Sequence, residues 1–287
     1  MISLLTGSLV WGLIWYPYRA LGAAGIGGAL SSLLTYLIPL LLGMVVFRHQ
    51  WPALKASPGM ATAIGLAAGW CNLAYVLAML SGEVMQVMLL FYLAPLWTVL
   101  FAYVLLGEKP GWAGALVVAL ATSGAVIMLW QPGARLPVPS GAADWLALSS
   151  GMTFALSNVL SRRARALDVR AKSLAIWAGV SLVACVVLMT GTEAVPAGSV
   201  LTWPVLLILL TVGLVIMAAN LVVQEGVTHV SANQAIVVLL TELVFAAIGA
   251  YLLAGERMAW HQWLGGALIV TATLLSGRLQ PAGSDET

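Results

Sequence analysis

Charge is what this sequence has least of. Asp, Glu, Lys and Arg together make up 8% of its 287 residues, ten acidic against twelve basic. Soluble domains carry about a quarter of their residues charged, so a solvated globular surface is excluded. The net charge of +2 is also too small and too dispersed for nucleic acid to be the partner. Cysteine is nearly absent. Cys71 and Cys185 both lie inside apolar runs, where a free thiol acts as a small hydrophobe, and neither a disulfide framework nor a metal site is expected. The three histidines, His49, His229 and His261, fall at the ends of apolar runs. There is no His-Glu-x-x-His, no nucleotide-binding Gly-rich loop and no Ser/His/Asp set at a shared depth. No catalytic residues and no cofactor are therefore expected, and an enzyme is disfavoured.

What the sequence has in abundance is hydrophobicity: 62% of residues, with a mean hydropathy of +1.02. A helix crossing the hydrocarbon needs about 20 apolar residues. Ten such stretches can be drawn, at 2–22, 28–47, 58–80, 84–106, 112–130, 144–162, 172–190, 203–224, 232–254 and 262–278. The expected fold is therefore all-α and membrane-integral, with ten spans. The first stretch lacks a basic leader and a cleavage site and contains Trp11, Trp15 and Pro17. It reads as a persisting span and not as a signal peptide. Seven tryptophans, Trp51, Trp112, Trp130, Trp145, Trp203, Trp260 and Trp263, fall near span ends, as interfacial anchors do.

The chain also contains a copy of part of itself. Asn72 to Lys109 and Asn220 to Arg257 align without a gap, and both close on Tyr-x-Leu-x-Gly-Glu: Tyr103, Leu105, Gly107, Glu108 and Tyr251, Leu253, Gly255, Glu256. Asn72/Asn220, Leu73/Leu221, Gln86/Gln234 and Ala102/Ala250 match upstream. Matched Asn, Gln, Tyr and Glu are improbable by chance in so apolar a sequence, so a duplicated unit follows. The match extends more weakly to the opening helices, with Trp11 against Phe154 and Arg19 against Arg162. This divides the chain into a first five-helix unit at 1–130, a Pro-rich outer linker at 131–143, a second five-helix unit at 144–278 and a cytoplasmic tail at 279–287.

Basic residues fix the expected orientation. With the N-terminus in the cytoplasm, Arg48, Lys55, Lys109, Arg162, Arg163, Arg165, Arg170, Lys172 and Arg278 lie inside, against Arg19, Arg135 and Arg257 outside. The positive-inside rule thus favours two cytoplasmic termini. Five spans per unit is an odd number, so the second unit enters the membrane from the opposite side. The repeat is then inverted, an arrangement typical of transporters.

With these features in place, the chain resembles the drug/metabolite transporter superfamily, specifically its EamA-type ten-helix members. The residues that carry the resemblance are Trp11-Gly12, Ala94-Pro95-Leu96 with Gly107-Glu108, and Glu242-Leu243-Val244-Phe245 with Gly255-Glu256. The family often has Glu-Pro where this chain has Glu242-Leu243, which removes a proline-dependent kink there. The aromatic load of the first, third and fourth helices looks like that of the bacterial aromatic amino-acid exporters. The resemblance implies a monomeric bundle in the bacterial inner membrane, alternating access around a central cavity, and export.

Polar and aromatic side chains inside spans are the substrate-binding candidates, because lipid makes each costly unless it faces protein or water. Asn72, Tyr75 and Met79 share one face of the third helix. Gln86, Tyr92 and Trp97 lie on the fourth, with Gln234 and Thr241 on the ninth. Asn220 and Gln224 lie one turn apart on the eighth, and Phe154 and Asn158 on the sixth. Trp11, Trp15, Trp70 and Trp97 are deep enough to stack on a flat substrate. Interhelical packing explains such residues equally well taken singly. Glu242 is the one carboxylate placed well inside a span, and is a coupling candidate as proton carrier or partner for a substrate ammonium group. Pro17 and Pro95 are hinge candidates. Small organic solutes, above all aromatic amino acids, are the expected cargo; other metabolites or drugs, or a membrane interaction subunit that moves nothing, are the rival readings.

Overall fold

The computed structural model describes residues 2–109, 111–128, 130, 139–193, 200–228 and 241–279. Every regular element among them is helical. Helix α1 spans Ile2–Leu13, α2 Trp15–Ala23, α3 Gly28–Val46, and α4 Trp51–Ala56 after a 3-10 turn. Then come α5 (Pro58–Ser81), α6 (Val84–Phe91), α7 (Ala94–Leu106), α8 (Trp112–Met128), α9 (Ala142–Arg163), α10 (Val169–Met189) and α11 (Trp203–Thr228). Helix α12 (Thr241–Gly249) runs into a π-helical turn at Ala250–Ala254, and α13 is Trp260–Leu279.

Five helical stretches are long and apolar enough to cross a membrane: Gly28–Val46, Pro58–Ser81, Val84–Leu106, Val169–Met189 and Trp203–Val222. Each falls within about three residues of a span drawn from the sequence. Most of the 131–143 linker, the start of the expected 232–254 span and the tail after 279 lie outside the described residues.

Two of the stretches expected to span are jointed. The first breaks at Ile14 between α1 and α2, and the fourth at Tyr92 and Leu93 between α6 and α7. Proline explains both positions. A proline in a helix lacks the N–H that would bond the carbonyl four residues earlier, and its ring crowds that carbonyl. Pro17 so affects Leu13 and Pro95 affects Phe91, the last residues of α1 and α6. Pro39, by contrast, is carried inside α3 without a break.

The two Gly-Glu endings have a common local structure. Gly107 and Gly255 hold φ of 72° and 67°, the left-handed region that favours glycine. The N–H of Glu108 reaches back to the Ala102 carbonyl at 3.2 Å, and that of Glu256 to the Ala250 carbonyl at 3.1 Å. Each closure spans seven residues, one more than the Schellman bond, with glycine at the left-handed C′ position. The matched signature is thus a helix stop that throws a glutamate off the end of a span.

Helix α5 is central, packing on α9 and α10; α1 packs on α11 and α12, α9 on α6 and α7, α3 on α10 and α11, and α8 on α13. One apolar cluster gathers Trp15, Met79, Met85, Met88, Leu90 and Ile269, and a second gathers Tyr18, Tyr36, Phe47, Trp177, Val212 and Ile216. Outward-facing Leu41, Val45, Val186, Leu207 and Leu210 are exposed, as a lipid-facing perimeter requires. The end-of-span tryptophans are exposed as well, Trp112 at 82% and Trp203 at 75%, which suits anchors at the headgroup level. Between α5 and α10 the backbones touch: a Cβ on Gly179 would overlap the Gly65 carbonyl. Small residues permit such approach in lipid, where van der Waals contact is a main driving force.

Replacing Gly179 with Val should therefore abolish folded protein, because its neighbour is backbone and cannot rotate away. Gly107→Ala and Gly255→Ala meet open space and should each cost only about 1–2 kcal/mol for the left-handed backbone. Thermal unfolding in detergent, ranked across the three variants, checks this order.

Candidate functional site

Glu242 lies in the first described turn of α12 and is half-buried. Four elements meet around it. Tyr92, in the joint between α6 and α7, has its hydroxyl within reach of the Glu242 carboxylate. Tyr75 of α5 stands within electrostatic range of the same carboxylate. Helix α1 closes the fourth side, with Gly12 so near α12 that a Cβ there would come within 2.7 Å of the Glu242 carbonyl. Glycine beside Trp11 is what lets the two backbones approach.

The joint itself is held open by an aromatic chain. The Phe91 ring lies 5.5 Å from Tyr75, 5.9 Å from Tyr92 and 5.1 Å from Phe154, measured between centroids. The Tyr75 and Tyr92 contacts are edge-on, at interplanar angles of 68° and 75°, the arrangement aromatic quadrupoles favour. The Phe91 carbonyl freed by Pro95 abuts Gly151 of α9, where a Cβ would overlap it.

One turn before Tyr75, Asn72 donates from Nδ2 to the Tyr36 hydroxyl at 2.9 Å. Its Oδ1 is buried and accepts no hydrogen bond from the described residues. The indole N–H groups of Trp15 and Trp97 are likewise buried without an acceptor among the described residues. A buried acceptor without a donor costs about 1–3 kcal/mol, a deficit that a bound donor would remove. The Glu242 carboxylate and Asn72 Oδ1 are two acceptors contributed by neighbouring helices. Such a site suits a solute bearing N–H groups.

The remaining sequence candidates divide. Met79 and Trp15 are fully buried in the apolar cluster, so the third-helix face that carries Asn72 and Tyr75 ends in packing at Met79. Trp11 is half-buried against the second cluster. Gln86 donates to Asp144 Oδ1 at 2.7 Å, and Asp144 also accepts from the Ser140 N–H and hydroxyl at 2.9 and 3.1 Å. Asn220 donates to the Ile216 carbonyl of its own helix at 3.0 Å. Trp70 is 37% exposed and donates to Ser149 Oγ at 3.2 Å. Phe154 is 41% exposed and Asn158 is exposed on α9. Thr241 is half-buried beside Glu242. The Gln224 side chain and all of Gln234 lie outside the described residues.

Sequence reasoning missed two ion pairs. Arg19 of α2 binds Glu256 at 3.2 Å, and Arg162 of α9 binds Glu108 at 2.7 Å. The signal was present: Arg19 aligns with Arg162 and Glu108 with Glu256, and each pair joins an arginine of one unit to a glutamate of the other. Arg19 also borders a depression of about 720 Å³ with Gly22, Ile26, Leu80 and Glu193. That depression is away from Glu242. The Glu193 carboxylate there accepts the Ala29 N–H at 2.9 and 3.1 Å, capping the first turn of α3.

The sequence model of the EamA-like transporter family matches residues 141–278. The matched stretch is thus similar to an EamA-like transporter domain. That stretch holds α9 to α13, and with them Glu242, Phe154 and both Arg162 and Glu256. Fourteen solved chains are also similar. One of them, described as a crystal structure of protein, shares 19% identity and a TM-score of 0.58 over 96% of this chain and 96% of its own. At that identity the likeness speaks for the fold alone. No curated protein matches the sequence.

If Gln86 is a tie between α6 and the start of α9, Gln86→Leu should lower stability by about 1–3 kcal/mol, since it leaves part of the buried Asp144 carboxylate unpaired. Solute half-saturation should not move. Thermal unfolding beside a binding titration separates the two.

Proposed function

We propose that the protein is an inner-membrane exporter of small organic solutes, most of all amino acids with aromatic side chains, working by alternating access between two inverted five-helix units. Ten spans, two cytoplasmic termini and a monomer belong to the same reading. The observation that carries it is the meeting of Tyr92, Tyr75 and Glu242 at a joint in a broken span. Broken helices at mid-depth, with a polar group at the break, are how inverted-repeat transporters build substrate sites.

Several features support the architecture. The EamA-like match at 141–278 covers nearly the stretch expected for the second unit. Packing is reciprocal: α1 lies on α11 and α12, and α9 lies on α5 and α7, which are the corresponding helices under the repeat. Nine of the twelve basic residues fall on one side when the termini are placed together.

In this reading the substrate ammonium group binds the Glu242 carboxylate, with Asn72 Oδ1 as a further acceptor on the same face. The substrate ring packs among Phe91, Phe154 and Tyr75, and Trp97 extends the aromatic lining. Pro17 and Pro95 act as hinges because each sits just past a break already present. No resident cofactor is needed for such binding and release.

The test is counterflow of labelled phenylalanine in proteoliposomes. Saturable exchange, competed by tryptophan, is expected, and its absence from folded protein sends the search to other solutes. Glu242→Gln keeps an acceptor for Tyr92 but removes the charge. It should weaken phenylalanine about tenfold, the loss of one charge-assisted hydrogen bond. 3-Phenylpropionate, which lacks the amine, should compete poorly in the parent protein, and the mutation should narrow that discrimination. Trp97→Ala should reduce exchange of aromatic amino acids more than of alanine; equal losses would indicate folding damage.

A further inference from the structure

The span Val84–Leu106 is gripped at both ends by ion pairs that do not resemble each other in strength. At its start, Glu256 accepts the N–H of Val84 at 3.0 Å and of Met85 at 3.4 Å, and binds Arg19. Arg19 in turn donates to the carbonyls of Met79 and Gly82 at the end of α5, and lies 5.1 Å over the Trp15 ring. At its finish, Glu108 follows the Gly107 stop and binds Arg162. Beside it, Arg163 donates to the Leu105 carbonyl at 3.4 Å. A span of this length is about 34 Å long, so the two pairs lie at opposite faces of the membrane.

We propose that Arg19–Glu256 and Arg162–Glu108 are alternating closures, one at each face, and that each opens while the other holds. This rests on the alternating-access reading above. Four observations carry it. The pairs are each formed by the same two residue types at repeat-related positions. Both glutamates are set in place by the same left-handed glycine stop. The span between them is jointed at Tyr92 and Leu93, so its two ends can move separately. The closures are also unequal: side-chain exposure is 27% and 15% for Arg19 and Glu256, against 39% and 46% for Arg162 and Glu108. A multiply bonded, part-buried pair holds its face shut, whereas an exposed pair contributes little. The conformation described is therefore the one closed at the Arg19 face and ready to open at the Arg162 face.

The groups that part are ones water can serve. Arg19 binds carbonyls at a helix end, which lack intrahelical partners, and Arg162 is already in contact with solvent. Neither opening strands a polar group in hydrocarbon. Arg19, Glu256, Arg162 and Glu108 are thus positioning residues for transport: they touch no substrate and set which face is open.

Distances between spin labels test this in lipid nanodiscs without solute, in a Cys71→Ser, Cys185→Ser background. Labels at Ala23→Cys and Arg257→Cys report the Arg19 face, and labels at Lys109→Cys and Arg165→Cys report the other. Glu256→Gln should add a longer-distance population at the first face and shorten the second, changing the population ratio by about tenfold. Glu108→Gln should lengthen only the second face, and by less. Arg19→Lys, which keeps charge but loses the guanidinium fork, stands in should Glu256→Gln not fold. Unchanged distances in Glu256→Gln or Arg19→Lys would overturn the proposal and make the pairs static ties. Labelling of Ala23→Cys and Arg165→Cys by an impermeant maleimide from the same side of sealed vesicles would overturn it too. Because no solute is present, reciprocal distances with no phenylalanine counterflow would uphold the closures and reject the cargo.

Discussion

A backbone polar group in hydrocarbon has no water to turn to, and every one must find its partner within the protein. That constraint decides where this chain can break its helices. The interruptions at Ile14 and at Tyr92–Leu93 occur only where neighbouring elements crowd in: α12 against Gly12 on one side, α9 against the Phe91 carbonyl at Gly151 on the other. Both breaks lie near Glu242, and there several helices lend polar groups to a common point. The joint, the carboxylate and the aromatic ring set are consequences of one requirement.

The repeated Gly-Glu ending links this interior to the membrane faces. A left-handed glycine stops the helix, and the next residue is directed sideways instead of onward. Glutamate at that position reaches an arginine of the other unit, so a purely local backbone device produces a contact 237 residues apart in sequence. At the Arg19 face the same carboxylate also caps α6. The first turn of the jointed span is thereby tied to the end of α12, the element that carries Glu242 at its opposite end.

Hydrophobic runs, prolines and helix stops were legible in the sequence because each is a local property of the chain. Pro95 marked the joint, and Gly107 and Gly255 marked the stops. Glu242 stood out as a carboxylate deep in an apolar run. Partnerships were not legible. Nothing near Gln86 indicates that Asp144 will accept its amide, and nothing near Met79 separates its packing role from the outlook of Tyr75 one turn away. Arg19 and Arg162 stood in the sequence as markers of orientation and as a matched position of the repeat. Their pairing with Glu256 and Glu108 depends on how the units interlock, which periodicity does not encode; the matched positions held the hint, and tertiary structure supplied its meaning.

The contact between Gly65 and Gly179 has a consequence for how such a molecule moves. Backbones also approach at Gly12 and Gly151, but here the approach is tightest, carbonyl against α-carbon with nothing deformable between them. A seam of that kind resists shear while leaving rotation about the contact cheap. Helices α5 and α10 are therefore fastened to each other at a point the thickness of two peptide groups.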